Sequence, residues 1–143
     1  MVRIREATLA DSEKLATLSG QLGYPADAAD MARRLQSIVE HGAGVVLVAE
    51  SVAGAVVGWA HVLPERALVC DARAQLAGLV VAEDARGDGI GTALLHAAED
   101  WARTYGFPAL AVRSNVIRSR AHRFYLRAGY VETKRQAVFT KPM

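Results

Sequence analysis

Between Leu79 and Thr92 the chain reads Leu-Val-Val-Ala-Glu-Asp-Ala-Arg-Gly-Asp-Gly-Ile-Gly-Thr, an apolar run followed by alternate glycines and then a helical pattern. Gly87, Gly89 and Gly91 let the backbone take positive φ and approach a ligand closely. A helix opening there presents N–H groups without intrahelical partners at the positive end of its dipole. Arg86 adds a fixed cation suited to a diphosphate. The chemistry this implies is anion binding, specifically of phosphate. A nucleotide P-loop requires Gly-Lys-Ser/Thr, whereas Gly91 is followed by Thr92-Ala93. The dinucleotide fingerprint, counted from Gly87, requires glycine at position 92 and meets Thr92. A turn serving only as a turn would not need three alternate glycines, which weaken the start of a helix.

A second block begins at Arg113-Ser114-Asn115 and continues through Ala121-His122-Arg123-Phe124-Tyr125-Leu126-Arg127-Ala128-Gly129-Tyr130. The Arg-Gly-x-Gly-x-Gly run after Leu-x-Val resembles the acetyl-CoA-binding motif of the GNAT superfamily of N-acetyltransferases. The second block is similar to that superfamily's strand and A-x-x-x-Y helix ending in Gly-Tyr. In order and spacing the resemblance covers nearly the whole chain, closest to small bacterial members grouped loosely with aminoglycoside N-acetyltransferases. It implies an α/β fold, one acetyltransferase domain over residues 1–143. Its central, mixed but mostly antiparallel sheet would be flanked by about four helices, with parallel strands 76–81 and 110–114 splaying apart.

Acetyl-CoA, as co-substrate, would enter that gap. By the same resemblance the backbone of Leu79, Val80 and Val81 would hold the acetyl-pantetheine arm. Arg86, Gly87, Asp88, Gly89, Ile90, Gly91 and Thr92 would cradle the pyrophosphate, and Asn115 would reach the pantetheine from the other wall. Tyr125 would protonate the departing thiolate, a task open to a phenol with an ordinary pKa near ~10. A tyrosine beside Phe124 on an amphipathic helix otherwise reads as core, and only its register in the motif favours catalysis. The implied reaction is direct attack by a primary amine of a small molecule or peptide within a ternary complex, without a metal.

The sequence departs from the family pattern in places. Many relatives carry Glu six positions before the last valine of the pyrophosphate strand; here that position is Gln75. A carboxamide cannot accept the amine's proton, so either the amine arrives neutral or another group takes the proton. His61, on a neighbouring strand, is a substitute base, although an isolated strand histidine is more often structural. Asp88 beside a pyrophosphate should point outward, and Arg118 replaces a second Asn that would meet the pantetheine. The acceptor should enter near Tyr24, Trp59, His61 and Gln75, beside a loop over residues 21–27 in which Tyr24 and Asp27 could meet a cationic amine.

The elements that must position these residues follow from periodicity. Val2 to Ala7 alternates as a strand. Thr8 and Asp11 resemble a capping box before Leu15, Leu18 and Leu22, and Met31, Leu35, Ile38 and Val39 predict a second helix over 28–40. Residues 45–49 and 55–62 read as an antiparallel hairpin, and 76–81 as a strand after an irregular stretch containing Pro64 and Cys70. Leu94, Ala97, Trp101 and Tyr105 mark a helix from Ile90, and residues 110–113 a strand. Ala121, Phe124, Tyr125 and Ala128 mark a last helix stopped by Gly129, and 130–140 would supply one or two closing strands.

Composition agrees with one globular domain: 143 residues, 52% hydrophobic and 22% charged, are enough for a core and too apolar for disorder. A net charge of +2 from 17 basic and 15 acidic residues does not predict a nucleic-acid partner. Arg113, Arg118, Arg120, Arg123 and Arg127 cluster near the last helix, where they would form a solvated face or meet CoA phosphates. A lone Cys70 and four scattered histidines predict neither disulfide nor metal cage and suit a cytoplasmic protein. No apolar run approaches the ~20 residues of a membrane span, so no membrane partner is expected, while a homodimer stays open. Outside the enzyme class, the alternative is a non-catalytic acetyl-CoA sensor or regulatory module.

Overall fold

The computed structural model describes all residues, Met1–Met143. Its first compact unit spans Met1–Arg113 and its second Ser114–Met143. In the first, strands β1 (Val2–Glu6), β2 (Val45–Ser51), β3 (Val56–Ala67), β4 (Cys70–Val81) and β5 (Leu110–Val112) form one sheet in sequence order. The first three junctions are antiparallel and β4–β5 is parallel, as expected of a mixed, mostly antiparallel sheet. Helices α1 (Ser12–Leu22), α2 (Ala28–Glu40) and α3 (Ile90–Thr104) complete this unit, and α4 (Ser119–Arg127) belongs to the second.

Strand alternation divides the core. Val48, Val56 and Val80 pack with Leu15 and Leu18 of α1 and Leu35 of α2, and Trp59 lies against this cluster. On the other face Ile90 and Leu94 of α3 come up to Gly58, where a β-carbon would also press on the Val80 carbonyl at 2.9 Å. The buried stripe of α3 is Ile90, Leu94, Leu95, Ala98 and Ala102, set by α-helical spacing. Ala97 and Trp101 lie at its edge and Tyr105 is exposed. In α2, Val39 likewise turns outward, since it sits one step round the helix from Ile38.

Two expectations need correction. Residues 64–75 are not irregular: β3 runs through Pro64 to Ala67, turns at Leu68-Val69 and returns as β4 from Cys70. The proline is tolerated because β2 pairs with β3 only as far as Val62, so its missing N–H breaks no ladder on that side. The expected closing strands do not form. After α4, Gly129 (φ 94°) turns the chain and the Tyr130 N–H closes on the Tyr125 carbonyl at 3.0 Å. Beyond it no strand follows, and Val131, Val138 and Phe139 stay exposed; the charged Glu132-Thr133-Lys134-Arg135 stretch interrupts the apolar alternation that a half-buried strand needs.

The α2–β2 loop is the tightest backbone passage. Gly44 has φ +87°, and a β-carbon there would stand 2.0 Å from the Val62 carbonyl oxygen. Gly54 has a similar φ of +84° but meets nothing within 4 Å. Gly44→Ala should therefore cost at least about 2 kcal/mol, well up the usual range for point substitutions, while Gly54→Ala costs only about 1 kcal/mol from backbone strain. Urea midpoints of the two variants measure the difference, and equal losses would show that strain alone, not the Val62 contact, sets the cost.

Candidate active site

The site begins where β4 leaves β5. Their parallel pairing consists of Ala74–Leu110, Gln75–Ala111 and Leu76–Val112 and then stops. Against β3, Leu76 faces Val62 but Gly78 faces His61, so Ala77 is an extra residue. Such a bulge bends and twists its strand, and it falls at the rung after the last β5 pair. From Ala77 to Val81 the β5-side edge of β4 has no strand partner, a stretch of about 17 Å at ordinary strand rise. The parallel pair implied by the resemblance is present, though it pairs at residues 74–76 and 110–112, with its closed end at Leu76 and Val112.

At the other end of this open edge lies the glycine turn. Gly87 (φ 94°) and Gly89 (φ 76°) are left-handed, Gly89 is the N-cap of α3, and no side chain caps the helix. Ala93 donates to the Gly89 carbonyl at 3.0 Å, so the N–H groups before it have no helical acceptor. A β-carbon on Gly87 or Gly89 would meet nothing within 4 Å, which leaves the backbone open to a ligand. Arg86 is exposed and donates from Nε to the Val81 carbonyl at 3.3 Å, which tethers its guanidinium at the turn. Asp88 is exposed, like Gly87 and Gly89 on either side of it. The side chain of Ile90 is core, 6% exposed, so only its backbone is available; Gly91 is half-buried and Thr92 exposed. Gln21 of α1 accepts from the Glu83 N–H at 3.0 Å and ties the entry to the turn.

Within β4, Val80 is buried against Trp59, its partner in register, while Leu79 and Val81 are half-buried. Gly78 is needed for close approach: a β-carbon would stand 2.9 Å from Trp59 Cη2 and Cζ3. Trp59 is therefore largely a packing residue, although its Nε1 is buried with no hydrogen-bond partner. His61 lies opposite Gly78, and its Nε2 is 3.1 Å from the Ala43 carbonyl. A carbonyl can only accept, so Nε2 carries the hydrogen and Nδ1 keeps its lone pair. Burial pushes the imidazole's pKa below the usual histidine value, only partly opposed by that hydrogen bond, so the ring is neutral at neutral pH.

Gln75 sits in a polar cluster that sequence reasoning missed. In the amide orientation that satisfies both neighbours, its nitrogen donates to Glu65 Oε2 at 3.2 Å and its oxygen accepts from Arg113 Nη1 at 3.1 Å. Glu65 also receives Arg113 Nη2 on Oε2 at 3.0 Å and Arg73 Nε on Oε1 at 2.8 Å. Glu65 and Arg73 face each other across β3 and β4. The signal was the cross-strand pattern Leu63-x-Glu65 against Arg73-x-Gln75, obscured by reading Pro64 as a break.

In the α1–α2 connection Gly23 is the left-handed C-cap, with the Tyr24 N–H bonded to the Ser19 carbonyl at 2.9 Å. Gln21 and Leu22 therefore belong to α1. Tyr24 is exposed. Asp27 is engaged otherwise than expected: it is the N-cap of α2, accepting from the Asp30 N–H at 2.8 Å.

In the second unit, Asn115 Oδ1 accepts from the Ile117 N–H at 3.1 Å, and its carbonyl receives the Arg118 N–H. Tyr125 is largely buried, edge-on to Phe124 at 5.2 Å and to Tyr130 at 6.0 Å. Burial raises its pKa above the ordinary phenol value, and Arg118 opposes this only in part. The hydroxyl stays protonated through neutral and mildly alkaline pH and can act as a donor.

Residues 11–130 match the acetyltransferase (GNAT) family model, and the chain belongs to that family. It is 33% identical over 144 residues to an aminoglycoside N(6')-acetyltransferase type 1 of Stenotrophomonas maltophilia, covering 98% of this chain and 93% of the relative. Among solved structures, aminoglycoside 6'-N-acetyltransferase AAC(6')-Ih from Acinetobacter baumannii is similar with TM-score 0.85 and 18% identity, over 100% and 99% of the two chains. Aminoglycoside N-acetyltransferase AAC(6')-Iy in complex with CoA gives TM-score 0.86 at 19% identity, over 100% and 96%. The chain is an acyl-CoA-dependent N-acetyltransferase with acetyl-CoA as its co-substrate. The open turn, the unpaired edge of β4 and the exposed Arg86 fit that molecule.

Saturating acetyl-CoA should raise stability by about 2.7 kcal/mol at a hundredfold excess over Kd. Gly89→Glu should abolish this thermal shift by setting an anion in the turn. Gly89→Asn, which tolerates a left-handed backbone, should keep it. An undiminished shift in Gly89→Glu removes the diphosphate from this turn.

Proposed function

We propose that the chain moves the acetyl group of acetyl-CoA to the primary amine of a small molecule, by direct attack with both substrates bound. The observation that carries this reading is the unpaired edge of β4 running from the glycine turn to the closed end at Leu76. A diphosphate held at the turn by Arg86 and the α3 N–H groups directs the arm along Leu79–Val81, so the acyl group lies near the closed end. Acetyl-CoA supplies the activated acyl carbon, and the protein's residues bind, orient and move protons. The name of the Stenotrophomonas relative supports a small amine as acceptor. Relatives named as enzymes favour catalysis over a sensor role, and nothing observed favours a sensor.

His61 is the group we assign to the amine's proton. Its Nε2–H is held by Ala43, and Nδ1 of the neutral ring accepts the proton, directly or through water; Gln75 cannot. Tyr125 supplies the acid: its hydroxyl donates a proton to the departing sulfur. Asn115, with its carbonyl oxygen engaged by Ile117, has its amide nitrogen available for the pantetheine.

Two outcomes follow. Tyr125→Phe should lower kcat by about 10² to 10⁴, the usual worth of general-acid help, with acetyl-CoA affinity nearly unchanged. Turnover within twofold of the parent would mean that another group protonates the thiolate. The pH dependence carries the second. Because burial lowers the His61 pKa, the ring loses its proton below the ordinary histidine range. The acid limb of kcat/KM should thus fall below about pH 6.5, be shared by acceptors of different basicity and vanish in His61→Gln. A profile that follows each acceptor amine's own pKa would show that the amine arrives neutral and that His61 takes no proton.

A further inference from the structure

The charges beside the closed end of the gap are unbalanced. Arg73, Glu65 and Arg113 bring two guanidinium groups to one carboxylate, and the Gln75 amide adds no charge. Glu65 is largely buried, at 12% side-chain exposure, whereas the Arg113 side chain is 57% exposed. Arg73 turns Nε and Nη2 to Glu65, and Arg113 turns Nη1 and Nη2 to Gln75 and Glu65. Arg73 Nη1 and Arg113 Nε remain as donors. Register sets the cluster where an acceptor would lie: Gln75 occupies the rung before the last β4–β5 pair, and Glu65 and Arg73 are two residues further along β3 and β4.

The cluster itself thus carries a surplus positive charge; Asp71, two residues from Arg73 along β4, is exposed to solvent, where its charge is screened. Asp27 and Asp30 cap one another at the start of α2. A polycationic acceptor would meet net positive charge and no unengaged carboxylate in the cluster, and like charge close to a site opposes binding. An anion would find two guanidinium groups already oriented by a shared carboxylate, the arrangement that suits carboxylate or phosphate.

We propose that the preferred acceptor is a small amine bearing an anionic group a few bonds from its nitrogen, the anion held by Arg73 and Arg113. This rests on the acetyl-transfer reading above and narrows it. It also separates this chain from the aminoglycosides, polycations for which two of its relatives are named, and sets it beside a third relative named an aminoalkylphosphonate N-acetyltransferase.

The test is kcat/KM, read by CoA release, for ethanolamine, β-alanine, O-phosphoethanolamine and the aminoglycoside kanamycin. The anionic amines should exceed ethanolamine at least tenfold with kanamycin weakest, and the two anionic arms separate carboxylate from phosphate. Arg113→Gln should lower kcat/KM for the anionic amines at least tenfold more than for ethanolamine, through KM, and Arg113→Lys should recover part of the difference. Equal use of ethanolamine, preference for kanamycin, or equal losses for all acceptors in Arg113→Gln would overturn the charge assignment and leave acetyl transfer standing. Failure of every amine to release CoA, despite an acetyl-CoA thermal shift, would sink acetyl transfer instead. Charge selection would then be decided by thermal shift of the CoA-loaded protein: a larger shift with O-phosphoethanolamine than with ethanolamine sustains it, and no difference overturns it.

Discussion

A parallel strand pair that stops pairing halfway leaves backbone polar groups without partners, and proteins rarely leave such groups unmatched. In this chain the parting is set by one residue. Ala77 is extra in the β3–β4 ladder, and the β4–β5 ladder ends at the rung before it. The bend opens an edge in the interior of a sheet, between strands that otherwise hold each other. Along that edge lie the glycine turn at one end, Trp59 packed over Gly78 in the middle, and the polar cluster of Gln75, Glu65, Arg73 and Arg113 at the closed end.

The two faces of β3 and β4 divide the work. One face is apolar and carries α3, with Gly58 allowing Ile90 and Leu94 to approach and so fixing where the helix and its first N–H groups begin. The other carries Trp59 and His61, with His61 fixed from the α2–β2 loop by Ala43. That loop is itself pressed against β3 at Gly44. The orientation of a single imidazole thus depends on backbone packing rather than on a second polar side chain. This is why a histidine on a strand, which carries no signal by itself, acquires a defined tautomer.

Much of this was legible in the sequence where local physics decides. The glycine turn, the helices and the β2–β3 hairpin declare themselves through spacing and turn chemistry. What was not legible depended on partners distant in sequence. Pro64 looked like a break because nothing local shows that β2 ends before reaching it. Glu65 therefore escaped notice, as did its pairing with Arg113, 48 residues away. Asp27 looked like a recognition residue, but its N-cap role was available from the Asp-x-x-Asp spacing and was overlooked. The tail beyond Tyr130 has strand-forming residues without a strand, since β propensity matters only where a ladder and a buried face exist.

The engagement of Gln75 has a consequence for what this site can do. Its amide nitrogen lies 3.2 Å from Glu65 Oε2. A glutamate at position 75 would set a second carboxylate beside the first, with Arg113 bonded to both and Arg73 to Glu65, so that two guanidinium groups would balance the pair and the cluster's surplus positive charge would vanish. Positions 65 and 75 are therefore coupled through Arg113: a carboxylate at 75 would engage the guanidinium charge that the neutral amide leaves to a ligand. A base at 75 and an anion site at Arg73 and Arg113 are thus alternative uses of the same charges.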